Sequence, residues 1–179
     1  MNELWQLGAL ELAQKIRSGE TSSREVLEAH LARVDAVNPH LNAIVRRLDD
    51  QARAAADAAD RAVADGSPLG ALHGVPCTVK ENIDLAGTPT TQGIPALADA
   101  VASIDAPTVE RMRAAGAIPF ARTNLPDLGL RVHTDSALHG LTRNPWNPNV
   151  TAGGSSGGEA SAIASGMSPI GLGNDIGGS

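Results

Sequence analysis

Along the first third of the chain apolar residues recur at helical spacing; further on they contract into short runs between glycines and prolines. Residues 4–18 set Leu4, Leu7, Leu10, Leu12 and Ile16 among polar positions, which predicts one amphipathic helix ended near Gly19. Ser22 opens a capping-box pattern with Glu25, and Val26, Leu27, Ala29, Leu31 and Val34 give the helix behind it one apolar face. Asn38-Pro39 is expected to stop that helix, because the residue before a proline is pushed out of the α region. An apolar run at 41–45 has no assigned type. Residues 49–65 are alanine-rich with Asp and Arg on the polar face, a third helix closed by Gly66. All three helices read as scaffold.

From Pro68 the pattern changes. Residues 75–80 predict a short β-branched strand ending in Lys80. Residues 108–115 predict a helix closed by Gly116, and 118–121 a second strand. One or two helical turns are expected at 125–130, and 144–149 (Asn-Pro-Trp-Asn-Pro-Asn) is turn chemistry. Beyond it 153–179 reads as loop, helix at 159–165, strand at 169–173, and loop. Helices alternating with short strands predict an α/β or mixed fold over a twisted sheet. The division expected is a helical region at 1–66 and the first part of an α/β core at 67–179, in one domain continuing beyond the chain.

Composition narrows the function. The length of 179 residues suffices for a sizeable core, and aromatics are only 2%, so that core rests on Ala, Val, Leu and Ile. A net charge of −6 without a basic stripe argues against a nucleic-acid surface, and the few aromatics against base stacking. Cys77 is the single cysteine, so no internal disulfide forms and a reducing compartment is expected. The N-terminus lacks a signal-peptide pattern, and no apolar run nears the ~20 residues of a membrane span. A soluble, cytoplasmic protein is the expectation.

The stretch 153–179 holds nine of the 19 glycines, in clusters around Ser155-Ser156 and before Ser179. Glycine clusters belong where the chain takes positive φ or comes close to a ligand. A Gly/Ser linker is the plain alternative, although an alanine-rich helix and an apolar strand interrupt it. The turn Asp175-Ile176-Gly177-Gly178-Ser179 could aim consecutive backbone N–H groups at one point, as an oxyanion requires.

Lys80 is one of only two lysines among 14 basic Lys and Arg residues, the other being Lys15 on an amphipathic helix. A desolvated lysine amine can lose its proton and act as a base, whereas arginine cannot; a lysine snorkelling from a strand edge is an equal reading of the residues alone. His30, His40, His73, His133 and His139 show no metal-ligand spacing, and Cys77 reads as a small buried hydrophobe. Asp84 and Asp175 could each order a loop. Gly153-Gly154-Ser155-Ser156-Gly157 matches the G-x-S-x-G nucleophile elbow, but 147–152 is a poor strand to precede it. P-loop, dinucleotide and S-x-x-K patterns are absent.

Three segments in order, Gly-Val-Pro-Cys-Thr-Val-Lys80-Glu-Asn, Gly-Gly-Ser155-Ser-Gly-Gly and Gly-Asn-Asp-Ile-Gly-Gly-Ser179, strongly resemble the amidase signature family. The resemblance runs from about Leu69 to Ser179 and implies that family's fold, a mixed twisted sheet covered by helices, incomplete in this chain. It implies Ser179 as acyl-forming nucleophile, Ser155 as bridging serine after a cis Gly154–Ser155 bond, and Lys80 as base. The N–H groups of Ile176, Gly177, Gly178 and Ser179 would form the oxyanion hole, with Gly154, Ser156 and Asp175 supporting the loop. Neither metal nor cofactor is implied.

The activity so implied is hydrolysis of a C–N bond in a small-molecule amide, with carbamate (urethanase), anilide and ester substrates open and a homodimer left open. A glutamine-dependent amidotransferase A-type subunit is the same-family alternative; Trp5 and the Gly-Glu159-Ala segment favour a stand-alone amidase. An α/β-hydrolase with Ser155 as nucleophile and an inactive scaffold of the same fold remain as further alternatives. Asn174 stands where the family more often has Ser or Thr. The family's domain continues well past its nucleophile, so residues 1–179 are expected to be the N-terminal part of a longer enzyme, partnered by the remainder of its own polypeptide and inactive alone.

Overall fold

The structure, a computed structural model, describes residues 3–175 and 177–178. Its centre is a four-stranded sheet. Strand β1 (Ile44–Arg47) runs antiparallel to β3 (Ile118–Thr123), while β2 (Pro76–Lys80) runs parallel to both β3 and β6 (Gly171–Leu172). The strand order is β1-β3-β2-β6, and the sheet is mixed, as expected. Every residue of β2 and β3 is buried, which explains why these strands read as apolar runs without alternation. Pro119 cannot donate to a ladder, and the β2–β3 register shifts beside its partner Cys77, where a bulge absorbs the missing donor.

Three helices precede and flank the sheet: α1 (Ala9–Ser18), α2 (Ser23–Leu41) and α3 (Asp49–Ala64). The helix expected over 4–18 is two elements, a 3-10 turn at Leu4–Gln6 and then α1, because Leu7 and Gly8 are extended and Gly8 caps α1. Ser22 caps α2 as its sequence predicts: Glu25 N donates to its hydroxyl at 3.0 Å and Glu25 Oε2 accepts from Ser22 N at 2.8 Å. That helix does not stop at Asn38-Pro39. Pro39 lies in its last turn, and the helix ends when Asn42 turns left-handed at φ 52° and donates its N–H to the Asn38 carbonyl. Asn38 Oδ1 then accepts from Ala43 N at 3.0 Å and Ile44 N at 2.9 Å, turning the unassigned run at 41–45 into the start of β1.

Leu27, Leu31 and Val34 of α2 pack with Ala52 and Ala56 of α3 and with Ile118, Phe120 and Ala121 of β3. Helix α4 (Pro107–Ala114) leads into β3, and the turns expected at 125–130 form a 3-10 turn at Asp127–Gly129. The core around α2 and β3 also takes in Ala162 of α5 (Gly157–Ala164) and Met167. A two-stranded hairpin, β4 (Asp135–Ser136) and β5 (Gly140–Leu141), has no counterpart in the elements the sequence predicts. No helix among the described residues is long and apolar enough to cross a membrane.

Candidate active site

Strand β2 delivers Lys80 to the C-terminal edge of the sheet, fully buried. Arg122, on the neighbouring strand β3, is buried too and holds the end of β2 from behind. Its guanidinium donates to the carbonyls of Val79 (3.3 Å), Lys80 (3.3 Å) and Ile83 (2.7 Å) and to the Thr88 hydroxyl. Burial pushes Arg122 down to about 10, so it stays a cation at neutral pH. The backbone around Lys80 is thereby fixed through three carbonyls.

Ser155 approaches from the other side, on the glycine-rich loop that enters α5. The Gly154–Ser155 peptide is cis, at the bond the resemblance singles out. No side chain fits at 154: a Cβ there would fall 2.7 Å from the Arg131 carbonyl oxygen and 2.7 Å from His133 N. Thr134 pins both flanks of the loop, donating to the Gly153 carbonyl at 2.9 Å and accepting from Gly157 N at 3.1 Å. Loop 144–154 carries only the isolated bridge Arg143–Thr151, so no strand leads into Ser155 and the nucleophile-elbow geometry is not met.

Lys80 and Ser155 meet. Lys80 Nζ donates to Ser155 Oγ at 2.6 Å, to Ser156 Oγ at 3.0 Å, to Asn174 Oδ1 at 2.7 Å and more distantly to the Asn174 carbonyl at 3.4 Å. Burial pushes the amine down to about 8, against the opposing pull of Glu159 and Asp175. A lysine so placed is not a snorkelling edge residue.

Glu159, one turn into α5, is buried beneath the site and accepts from Thr78 Oγ1 at 2.6 Å and Thr123 Oγ1 at 2.9 Å. Burial pushes its carboxyl up to about 7, partly offset by those two hydroxyls. Glu81, next to Lys80, is fully buried, and its Oε2 lies 2.5 Å from both Thr91 Oγ1 and His139 Nε2.

The last segment is described in part. Asp175 accepts from Gly178 N, so that N–H is engaged within the loop instead of being open to a ligand. Gly178 takes φ 106°, which only glycine adopts readily. Gly177 is exposed. Ser179 and Ile176, the expected nucleophile and one oxyanion donor, lie outside the described residues.

Asp84 orders a loop, accepting from Thr90 Oγ1 at 2.7 Å and, through its carbonyl, from Ala106 N. Cys77 is a buried thiol pushed up to about 12 by desolvation. Sequence reasoning missed Asn82 and the Thr78–Glu159–Thr123 network. Their signals were slight: a carboxylate in a helix of small residues, and an amide two places after Lys80.

The mixed α/β sheet agrees with the fold implied by the three motifs that resemble the amidase signature family. The chain belongs to that family: the sequence pattern described as Amidase matches residues 25–179. It is 53% identical to an indoleacetamide hydrolase of Bradyrhizobium diazoefficiens, over 98% of this chain and 34% of that protein. It is 40% identical to the A-type subunit of a Synechococcus glutamyl-tRNA(Gln) amidotransferase, over 94% of this chain and 35% of that one. The solved structure of a fatty acid amide hydrolase superposes with a TM-score of 0.94 at 32% identity, covering 98% of this chain and 31% of that one. The chain thus spans about a third of the length of the relatives it matches.

Proposed function

We propose that a protein of the relatives' length carrying these residues hydrolyses the C–N bond of a small-molecule amide through an acyl-enzyme. Ser179 is the nucleophile, Ser155 the bridging serine and Lys80 the base. The observation that carries this reading is the 2.6 Å contact between the buried Lys80 amine and Ser155 Oγ.

A serine hydroxyl is a weak nucleophile until a base removes its proton. Neutral Lys80 takes the Ser155 proton while Ser155 takes that of Ser179, so the Ser179 oxygen attacks the amide carbonyl. The tetrahedral oxyanion rests on backbone N–H groups of the turn at Ile176, Gly177 and Ser179, with the Gly178 N–H tying the turn to Asp175, and one lost donor costs about 10²–10³ in rate. Collapse expels the amine, which collects the proton returned through Ser155. Water then attacks the acyl-Ser179 ester by the same relay run again, releasing the acid. Gly154, Ser156 and Asp175 hold the loops, and no metal or cofactor enters a step.

Similarity to an indoleacetamide hydrolase supports an aryl-acetamide as the first substrate to try, with carbamates, anilides and esters after it. The single cysteine supports a reducing, cytoplasmic setting. Similarity to an amidotransferase component favours a second reading, in which the ammonia released from glutamine is handed to a partner. Assaying ammonia release from an aryl-acetamide and from glutamine separates the two. Turnover of the first without partner chains supports the hydrolase, and turnover of glutamine alone supports the amidotransferase reading. Neither activity in a folded protein points to an inactive scaffold.

A further inference from the structure

Asn174 departs from the small hydroxyl residue more usual in the family, and the structure gives it a partner. Asn174 Nδ2 donates to Asn82 Oδ1 at 3.1 Å, and Asn82 Nδ2 donates back to Asn174 Oδ1 at 3.3 Å. This reciprocal pair locks the two amides to each other, and the Lys80 amine, donating to Asn174 Oδ1 at 2.7 Å, sets which end points where. Turning the Asn174 amide over would set its NH2 against Lys80 and break both bonds to Asn82. The atom facing Lys80 is therefore the carbonyl oxygen, which can only accept.

Ser156 is constrained in the same sense. Its hydroxyl proton is donated to the Asn174 carbonyl at 3.1 Å, so toward Lys80 its oxygen accepts. A neutral amine has two N–H groups and one lone pair. Two fixed acceptors, Asn174 Oδ1 at 2.7 Å and Ser156 Oγ at 3.0 Å, take both N–H groups. Among the described residues the other neighbours are the Asn174 carbonyl at 3.4 Å, which can only accept, and Ser155 Oγ at 2.6 Å, the one hydroxyl free to donate, and the lone pair is left facing Ser155.

We propose that the Asn82–Asn174 amide pair is a positioning device: by presenting a fixed acceptor to Lys80, it turns the lone pair of the neutral amine toward Ser155. This rests on the amidase reading above and adds two residues to it that act through Lys80. The pair also links the loop after β2 to the loop after β6, so the base is aligned only when those two loops are in register.

The test uses a protein of the relatives' length, with kcat, KM and pH profiles measured for wild type, Asn82→Ala, Asn174→Leu and Asn174→Asp. Asn174→Leu removes the acceptor, and Asn82→Ala lets the amide turn over. Both should lower kcat by about 10–100-fold with KM little changed, the scale of a misaligned base. Asn174→Asp keeps an acceptor of the same shape but adds a charge that favours the ammonium. Its acid limb of kcat/KM should move up by about one pH unit or more, with activity recovering at high pH.

A kcat within twofold of wild type in folded Asn82→Ala and Asn174→Leu would overturn the proposal. So would an acid limb in Asn174→Asp that stays in place, since a carboxylate 2.7 Å from the Lys80 amine must move it if that amine is the base. Should wild type itself fail to hydrolyse amides, the reading of the site fails first. Should wild type be active and the three variants behave like it, only the positioning role fails.

Discussion

Two residues before Lys80 on the same face of β2, Thr78 donates its hydroxyl to Glu159 Oε2 at 2.6 Å, placing a buried carboxyl directly under the candidate base. With its carboxyl pushed up to about 7, Glu159 is mostly ionised at the pH near 8 where Lys80 exchanges its proton, and its charge favours the ammonium. Glu159→Gln removes that charge and keeps the shape. The acid limb of kcat/KM should therefore move to lower pH; an unmoved or raised limb would show that Glu159 does not act on Lys80.

The Lys80 amine should set the pH dependence of the wild type. Only the neutral form can take a proton, so kcat/KM should rise with pH through about 8 and fall about tenfold per unit well below it. Lys80→Met should cost about 10²–10⁴ in rate. The same variant should also lose the part of the wild-type stability that rises between pH 8 and 10.5. The folded amine binds protons less readily than the unfolded one, so folding works against the ammonium below about 8 and gains as pH rises from there to 10.5. A stability difference between wild type and Lys80→Met that stays constant from pH 8 to 10 would contradict that sign.

Gly171 is where β6 crosses the buried carboxyl. A Cβ there would lie 2.0 Å from Glu159 Oε2 and 2.6 Å from Thr78 Oγ1, buried side-chain ends that can shift only by disturbing the hydrogen bond between them. Gly171→Ala should destabilise by about 1–3 kcal/mol or more, as overpacking does, and should disturb the Glu159 bonds. Urea unfolding checks the first, and the pH profile the second.

His30 sits inside α2, with its Nδ1 3.2 Å from the Gly166 carbonyl and its Nε2 buried and unpartnered. Desolvation pushes it from 6.5 down to about 4. Between those values the unfolded chain binds a proton that the folded chain does not, so stability should fall as pH drops from 6.5 toward 4. The loss should approach about 3 kcal/mol. Glu159 acts in the opposite sense between 4.5 and 7, so the difference between wild type and His30→Leu isolates the histidine. Parallel urea-unfolding curves for the two across that range would contradict the assignment.

How much of the fold was legible before the structure depends on whether the information is local. The Ser22–Glu25 cap, the end of α3 and the strand bearing Lys80 follow from neighbouring residues and were readable. Pro39 misled because a proline in a last helical turn forfeits one bond without breaking the helix, and the left-handed Asn42 that ends α2 carries only a weak local signal. Gly8 interrupts the first apolar pattern as a cap, which periodicity alone does not register.

At the site, Lys80 and Ser155 were nameable from type and neighbourhood, but their 2.6 Å contact joins residues 75 apart. Arg122 falls just past the strand expected at 118–121, and only the fold shows it inside β3 with three carbonyls waiting for it. Asn174 was legible only as a departure from a pattern. Its meaning needed Asn82, 92 positions away.

The most direct test of the Ser179–Ser155–Lys80 relay is covalent labelling of a folded protein of the relatives' length with a fluorophosphonate, the adduct being mapped by mass spectrometry. The account predicts a single adduct on Ser179, lost or greatly slowed in Lys80→Ala and in Ser155→Ala. An adduct on Ser155, or labelling of Ser179 that proceeds undiminished without Lys80, would contradict it.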